Sequence, residues 1–238
     1  MKIKSIKIQS FVAISDIISL CNMLCGLLSI MSAFNQNFAL SAIFMIFAIM
    51  FDSVDGWVAR YFNRNDELGF GKNIDSLCDV VSFAIAPAVL LYTLSKTIPN
   101  NIEIIVIIVC AIIACCGVLR LTRYNVIADH VDFKGFVGFP IPGIAFILAT
   151  FYMSGLFNLY AALILMVLVS YLMISDVKYP KFSNIPVIAF AVILIILMIL
   201  PIPTAIWGID IPAVILLIIV LYYLLINLIK SLIKRFIK

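Results

Sequence analysis

Apolar residues recur along this chain in long runs, separated by short polar segments rich in Pro, Asn and Gly. A run of about 20 apolar residues is the length that an α-helix needs to cross a membrane. The pattern therefore predicts an all-α fold, a polytopic membrane bundle of about eight transmembrane helices in a single domain, residues 1–238. The predicted spans are residues 11–34, 38–62, 73–95, 102–125, 140–156, 158–176, 184–200 and 209–233.

Basic residues test this number of spans, because the cytoplasmic segments of membrane proteins are enriched in Lys and Arg. With eight spans and both termini in the cytoplasm, Lys96 is the single basic residue on the outside, and the other 15 of the 16 are cytoplasmic. Merging the fifth and sixth spans would remove this bias. We therefore predict an integral, multi-pass protein of the cell membrane with both termini in the cytoplasm.

Composition agrees with a membrane protein and argues against other classes. The chain is 65% hydrophobic and 12% charged, whereas about a quarter of a soluble domain is charged. Its net charge of +4 comes from basic residues at one membrane face, where they can contact anionic lipid, so we expect no nucleic acid partner. The six cysteines and the one histidine, His130, do not have the spacing of zinc ligands.

One acidic segment interrupts the apolar pattern. FDSVDGWVARYFNRNDELGFGKNIDSLCDVVSF, residues 51–83, holds six of the 12 Asp and Glu residues. At 100° per residue, carboxylates and small residues share one face of the second span and one face of the third. These faces carry Asp52, Asp55, Gly56 and Ala59 on the second span, and Gly71, Asp75, Asp79, Ser82 and Ala86 on the third. Because a short loop joins the two spans, the four aspartates should converge near the cytoplasmic membrane boundary.

Four converging carboxylates need a counterion, since like charges repel and a charge inside a membrane helix is costly. A ligand set made only of oxygen favours Mg²⁺ or Mn²⁺, and two ions bridged by carboxylates would suit phosphoryl or phosphatidyl transfer. The alternative is an interhelical salt-bridge patch with Arg60 and Arg64. The predicted metal ligands are Asp52, Asp55, Asp75 and Asp79.

The residues D-SV-DG-WV-AR, followed by G-KNI-D-SLC-D, resemble the signature of the CDP-alcohol phosphatidyltransferase family. Ten residues separate Arg60 from Gly71, where the family usually has about eight, and we interpret the difference as a two-residue loop insertion. Four further segments resemble the serine-using members of the family. They are SDIISLCNMLCGLLSI, DSLCDVVSFAIAPA, RLTRYNV and FVGFPIPG, and the resemblance covers residues 15–145.

This resemblance implies a reaction and its partners. A phosphatidyl group would pass from CDP-diacylglycerol, or from CDP-archaeol, to the hydroxyl of L-serine, and CMP would be released at the cytoplasmic face. The implied cofactor is Mg²⁺ or Mn²⁺, as two ions, and a homodimer is compatible with the family. Other acceptors, such as glycerol phosphate or inositol phosphate, remain open, and an ion-coupled transporter is an alternative from another class.

The resemblance also implies roles for individual residues. Asp52, Asp55 and Asp75 would hold the metal ions, while Asp79 would contact a metal and act as the general base on the serine hydroxyl. The expected CDP-lipid-binding residues are Asp55, Gly56, Ala59, Arg60 and Gly71.

Three further groups of residues each have two interpretations. Arg120, Arg123 and Asn125 lie at the cytoplasmic end of the fourth span, and they bind phosphate or serine, or serve as positive-inside residues and a helix cap. Asn22, within a polar face of the first span, lines the nucleotide pocket or forms interhelical hydrogen bonds. FVGFPIPG forms a substrate-facing loop or initiates the fifth helix.

Overall fold

The computed structural model describes residues 7–62, 66, 68–99, 101–127, 135–181, 184–200 and 205–236. Two residues discussed above, Arg64 and His130, lie outside the described residues. The described part forms eight helices when Phe70–Thr97 is counted as one, preceded by a 3-10 turn at Ile8–Ser10. The helices are α1 (Ile14–Phe34), α2 (Phe38–Tyr61), α3 (Phe70–Thr97), α4 (Glu103–Ile127), α5 (Pro142–Met153), α6 (Leu159–Ile174), α7 (Ile185–Ile199) and α8 (Ile211–Phe236).

These helices have the composition of a membrane protein. Within the described ranges, five of them, α1 to α4 and α8, are long and apolar enough to cross a membrane, and α5, α6 and α7 are apolar but shorter. The prediction of an all-helical polytopic membrane protein is confirmed. The number of spans and the cytoplasmic position of the termini stay predictions, although eight apolar helices coincide with the eight predicted spans.

The hydrophobic pattern did not predict two short strand pairs. Strand β1 (Gly135–Val137) pairs antiparallel with β2 (Lys178–Pro180), with Phe136 opposite Tyr179. Strand β3 (Ala205–Ile206) pairs antiparallel with β4 (Ile209–Asp210), just before α8. The pair β1–β2 joins the segment before α5 to the segment after α6.

Helices α1 and α2 form a tight antiparallel pair. The Asn37 side chain caps α2 by accepting a hydrogen bond from the Leu40 amide at 3.2 Å. Ala33 and Ala42 are fully buried, and the Ser29 hydroxyl lies 2.9 Å from the Ser41 carbonyl oxygen. Small residues along the contact allow close backbone approach and satisfy polar groups without water.

Helix α3 is not α-helical throughout. Residues Phe70–Asp79 and Ala86–Thr97 are α-helical, whereas Val80–Ile85 between them form a π-helical turn. A Cβ atom on Gly26 of α1 would lie 2.7 Å from Ser82 Cα, and one on Gly117 of α4 would lie 2.8 Å from Ala84 Cβ. Glycine at both positions lets α1 and α4 pack directly against the π turn. The predicted polar face of the third span therefore follows one α-helical register only as far as Asp79.

We expect Gly26→Ala to destabilise the fold. Its methyl group would also lie 2.5 Å from Ser82 Oγ, and overpacking of this kind costs about 1–3 kcal/mol. Gly56→Ala is the matched control, because its Cβ would meet only the end of the Arg60 side chain, at 3.4 Å. Thermal unfolding in detergent should show a lower Tm for Gly26→Ala and no loss for Gly56→Ala. Equal Tm values for the two variants would contradict the close packing.

Candidate active site

The aspartates converge where α2 ends and α3 begins. Carboxylate oxygens of Asp52, Asp55 and Asp75 all lie within 4.8 Å of one another. Asp79, one turn after Asp75, lines the same cavity and is buried. The structure therefore brings together the four aspartates that the sequence placed on two helix faces.

Helix α1 donates two hydrogen bonds to this cluster. The Ser19 hydroxyl donates to Asp55 Oδ2 at 2.6 Å, and the Asn22 amide donates to Asp79 Oδ1 at 3.0 Å. The Ser82 hydroxyl donates to the Asn22 carbonyl at 2.9 Å, which fixes the backbone of α1 beside α3. Asn22 is not among the described residues that line the cavity. This geometry favours the interhelical hydrogen-bonding interpretation of Asn22, with Asp79 as its partner.

The loop before α3 contributes a helix cap. Asp66 accepts hydrogen bonds from the backbone amides of Gly71 at 3.1 Å and Lys72 at 3.0 Å. Gly69 precedes the helix with φ +70°, a left-handed conformation that favours glycine. A carboxylate at a helix N-terminus satisfies amides that have no intrahelical partner. Gly71 is thus a buried residue in the first turn of α3. Asp66, which precedes the helix, caps its N-terminus.

A cavity of about 240 Å³ connects the aspartates to basic and aromatic residues. Its acidic wall is formed by the four aspartates, and Arg60, Arg120 and Lys181 supply positive charge. The remaining lining residues are Gly56, Ser76, Leu121, Tyr124, Phe136, Pro140 and Pro142. A cavity with opposite charges on its walls is suited to a substrate that brings both an anionic group and a metal-bound group.

Arg120 is a buried cation that faces this cavity. Its side chain is 5% exposed, and its Nε atom has no hydrogen-bond partner among the described residues. The guanidinium carbon lies 5.4 Å from the Tyr124 ring centroid and 5.7 Å from that of Phe136. A buried N–H group without a partner is costly, and an anion in the cavity would satisfy it. The predicted phosphate-binding or serine-binding role of Arg120 fits this position.

The three clustered carboxylates fit a divalent cation. Two unit charges 4 Å apart repel by about 1 kcal/mol in bulk water and about 4 kcal/mol near a protein surface. The oxygens of Asp52, Asp55 and Asp75 lie at comparable distances from one another, so the cluster is stable as an ionised group only with a cation nearby. Carboxylate oxygens are the ligands that Mg²⁺ and Mn²⁺ prefer. The donor set therefore agrees with the predicted metal, and Asp79 lies beside the set.

Arg123 is not among the described residues that line the cavity, although it is only three residues from Arg120. Its guanidinium donates to the backbone carbonyls of Ile174 at 2.7 Å and of Val137 and Met173 at 2.9 Å. It thereby ties α4 to strand β1 and to the end of α6. Gly138 has φ +81°, and a Cβ there would lie 2.0 Å from the Met173 carbonyl oxygen. The glycine of FVGFPIPG is thus required by close backbone approach at this junction.

An aromatic cluster packs against the β1–β2 pair. Tyr179 is fully buried, with ring centroids 5.4 Å from Phe139 and 5.5 Å from Tyr223 of α8. Burial raises the pKa of the Tyr179 hydroxyl to about 12, so the ring packs as a neutral group. The Tyr223 hydroxyl donates to the Pro180 carbonyl at 2.7 Å. Helix α8 therefore contributes to the position of β2.

The remaining predicted residues lie around the cavity in different ways. Gly56 and Arg60 line it, whereas Ala59 and Gly71 are not among its described lining residues. The Asn125 amide donates to the Ser76 hydroxyl at 2.8 Å, and the Lys72 ammonium donates to the Asn125 carbonyl at 2.5 Å. Asn125 thus contacts a lining residue without lining the cavity.

FVGFPIPG combines both of its interpretations. Pro142 is the first residue of α5, a position that suits proline. Pro140 and Pro142 also line the cavity, as does Phe136. Sequence reasoning missed Phe136, Tyr124, Ser76 and Lys181 as individual lining residues. Phe136 and Tyr124 belong to the FVGFPIPG and RLTRYNV segments, which the sequence analysis had already connected with substrate binding. For Lys181, the sequence indicated only that it lies in a basic loop.

Comparison with known proteins identifies the family of this chain. The family model described as CDP-alcohol phosphatidyltransferase matches residues 12–175. The chain is 43% identical to the archaetidylserine synthase of Methanothermobacter thermautotrophicus, covering 74% of this chain and 72% of that protein. It is 41% identical to the CDP-diacylglycerol–serine O-phosphatidyltransferase of Methanocaldococcus jannaschii (74% and 78% covered) and 32% identical to that of Bacillus subtilis (70% and 89% covered). The chain belongs to the CDP-alcohol phosphatidyltransferase family.

Proposed function

We propose that this protein transfers a phosphatidyl-type group from a CDP-linked lipid to the hydroxyl of L-serine and releases CMP. The observation that carries the proposal is the cavity in which three clustered carboxylates, a fourth buried carboxylate and a buried arginine face one another. The names of the similar proteins from three organisms, all of which specify serine as the acceptor, support the choice of acceptor.

In the proposed reaction, the serine oxygen attacks the phosphorus that carries the lipid. A new P–O bond forms to serine, and the P–O bond to CMP breaks, so that CMP leaves with the bridging oxygen. Divalent ions held by Asp52, Asp55 and Asp75 would neutralise the pyrophosphate charge as CMP leaves. Arg120, with its unpartnered Nε, is positioned to pair with an anionic oxygen of a substrate.

Asp79 is the proposed general base. A serine hydroxyl is a weak nucleophile at neutral pH and benefits from a base that accepts its proton. Asp79 lines the cavity and is oriented through Oδ1 by the Asn22 amide. Asp52, Asp55 and Asp75 form a group whose carboxylate oxygens all lie within 4.8 Å of one another, and Asp79 lines the same cavity beside them. This arrangement supports a division in which three aspartates hold metal and the fourth also handles the proton.

The proposed location of the reaction is the cytoplasmic face of the cell membrane. Lys72, Arg120 and Lys181, which come from three separate segments, all lie at the end of the bundle that holds the aspartates. Basic residues are enriched on the cytoplasmic side. Serine and CMP are water-soluble and the other substrate is a lipid, so a site at the headgroup level gives access to both.

We expect the purified protein to release CMP from CDP-diacylglycerol or CDP-archaeol with L-serine as the preferred acceptor. L-serine should be used far better than glycerol 3-phosphate or inositol 1-phosphate, because the cavity combines a base for a hydroxyl with a cation for a single carboxylate. The measurement is the rate of CMP release for each acceptor with each CDP-lipid.

The same assay separates the alternatives. Preference for glycerol 3-phosphate would keep the family and overturn serine as the acceptor. Failure to release CMP with every acceptor and both lipids would overturn the proposed activity and favour a transport function for the acidic site. The comparison of the two CDP-lipids also establishes whether the lipid chains are ester-linked or ether-linked.

A further inference from the structure

Lys181 adds a positive charge to those of Arg60 and Arg120 at the cavity. It follows strand β2 directly and lines the cavity. It lies beyond residues 12–175, the segment that the family model matches, so family membership assigns it no role. Any role for Lys181 has to come from its own surroundings.

The backbone immediately before Lys181 is held in place on two sides. Pro180 is paired with Gly135 across the strands, and its carbonyl accepts the hydrogen bond from the Tyr223 hydroxyl. Tyr179 is fully buried beneath the strands. A lysine side chain is flexible, but its Cα position here is fixed by β1, β2 and α8. The chain can therefore direct this ammonium group reproducibly towards the cavity.

Lys181 and Arg120 contact the same aromatic ring. The Lys181 Nζ atom lies 5.8 Å from the Phe136 ring centroid, and the Arg120 guanidinium carbon lies 5.7 Å from it. A cation near an aromatic face gains modest stabilisation, and both residues also line the same cavity. An anionic group bound at this side of the cavity would be attracted to both cations and would satisfy the Arg120 Nε atom.

The chemistry of the acceptor identifies this anion. In the proposed reaction, the aspartates hold the metal ions and accept the proton of the nucleophilic hydroxyl. The basic residues Arg120 and Lys181 are then available to bind the remaining anionic group of the acceptor. Serine carries one anionic group, its carboxylate, close to the hydroxyl that reacts. We propose that Lys181, together with Arg120, binds the carboxylate of the amino acid acceptor and thereby selects an amino acid over an amino alcohol. This assignment rests on the proposed function.

The test is Lys181→Gln in the full-length protein, assayed by CMP release. We expect KM for L-serine to rise by about 10- to 100-fold, the equivalent of one charge-assisted hydrogen bond, with KM for the CDP-lipid unchanged. Lys181→Arg, which keeps the charge, should retain most of the serine affinity. Lys178→Gln is the matched control, because Lys178 is exposed on the same strand pair and is not among the described residues that line the cavity. It should leave both KM values unchanged.

An acceptor without a carboxylate provides a second readout. Ethanolamine keeps the hydroxyl and the amine, so Lys181→Gln should not alter its kinetics as a substrate or its inhibition constant against serine. An unchanged KM for serine in the variant would overturn the assignment. A rise in KM for the CDP-lipid in place of serine would also overturn it and would assign Lys181 to a substrate phosphate. If the wild-type protein releases no CMP with any acceptor, the proposed function itself fails, which is a distinct result.

Discussion

Replacing Asp79 by Asn is expected to lower turnover by about 10²–10⁴-fold, the usual scale of general base catalysis. The substitution keeps the size of the side chain and an oxygen that can accept the hydrogen bond from Asn22, which is 3.0 Å long in the native protein. It removes the group that accepts the serine proton. Affinity for the CDP-lipid should largely survive, because Asp52, Asp55 and Asp75 remain clustered. The measurements are kcat and the affinity for the CDP-lipid.

Asp52→Asn is the comparison variant for this experiment. Asp52 belongs to the carboxylate cluster, so its replacement removes a ligand charge and should weaken metal and CDP-lipid binding. Both variants should be assayed across a range of Mn²⁺ concentrations. Excess Mn²⁺ should improve Asp52→Asn and leave Asp79→Asn slow. Recovery of Asp79→Asn to near wild-type turnover would show that Asp79 is only a metal ligand.

Removing divalent cations is expected to abolish activity completely. The clustered carboxylates repel one another without a cation, and the pyrophosphate of the CDP-lipid brings further negative charge into the same cavity. Treatment with EDTA should stop CMP release, and addition of Mn²⁺ or Mg²⁺ to the chelated protein should restore it. Metal binding to the substrate-free protein, followed by calorimetry, should be weaker in Asp52→Asn than in the wild-type protein. Full activity after exhaustive chelation would contradict the metal site.

The helical part of this fold could be predicted because it depends on local pattern. Apolar runs bounded by turn residues predicted eight segments, and eight apolar helices occur in the described residues. The convergence of the aspartates also followed from local rules, since helical periodicity and a short connecting loop are enough to bring Asp52 near Asp75. Several boundaries differ from the predicted spans by two or three residues. Helix α3, for example, begins at Phe70, three residues before the predicted span, and Asp66 caps its N-terminus.

The parts of the site that could not be predicted depend on contacts between distant segments. Arg120 and Arg123 lie on nearly the same face of α4, and periodicity cannot separate them. They differ because the carbonyls of Val137, Met173 and Ile174 surround Arg123, whereas Arg120 faces the cavity. Strands β1 and β2 contain three residues each, too few for an alternating pattern to be recognised.

The π-helical turn of α3 could not be predicted from the sequence either. An ideal 100° rotation per residue predicts a continuous face from Gly71 to Ala86, but the turn at Val80–Ile85 interrupts that register just after Asp79. π-Helical turns are rare and frequently occur at functional sites. Here the turn contacts α1 through Ser82 and α4 through Ala84, and such contacts are not encoded in the periodicity of α3 itself.

The pairing of β1 with β2 has a consequence for the order of assembly during synthesis. Helices α1 to α3, which carry all four aspartates, end at Thr97, well before β1 emerges. Strand β1 cannot pair until β2 has been synthesised, and both α5 and α6 lie between the two strands in the sequence. Contacts between distant segments form late because closing a long loop is entropically costly. The acidic wall can therefore fold while the chain is still being inserted, whereas the wall that carries Phe136 and Lys181 is completed only after α6 has reached the membrane.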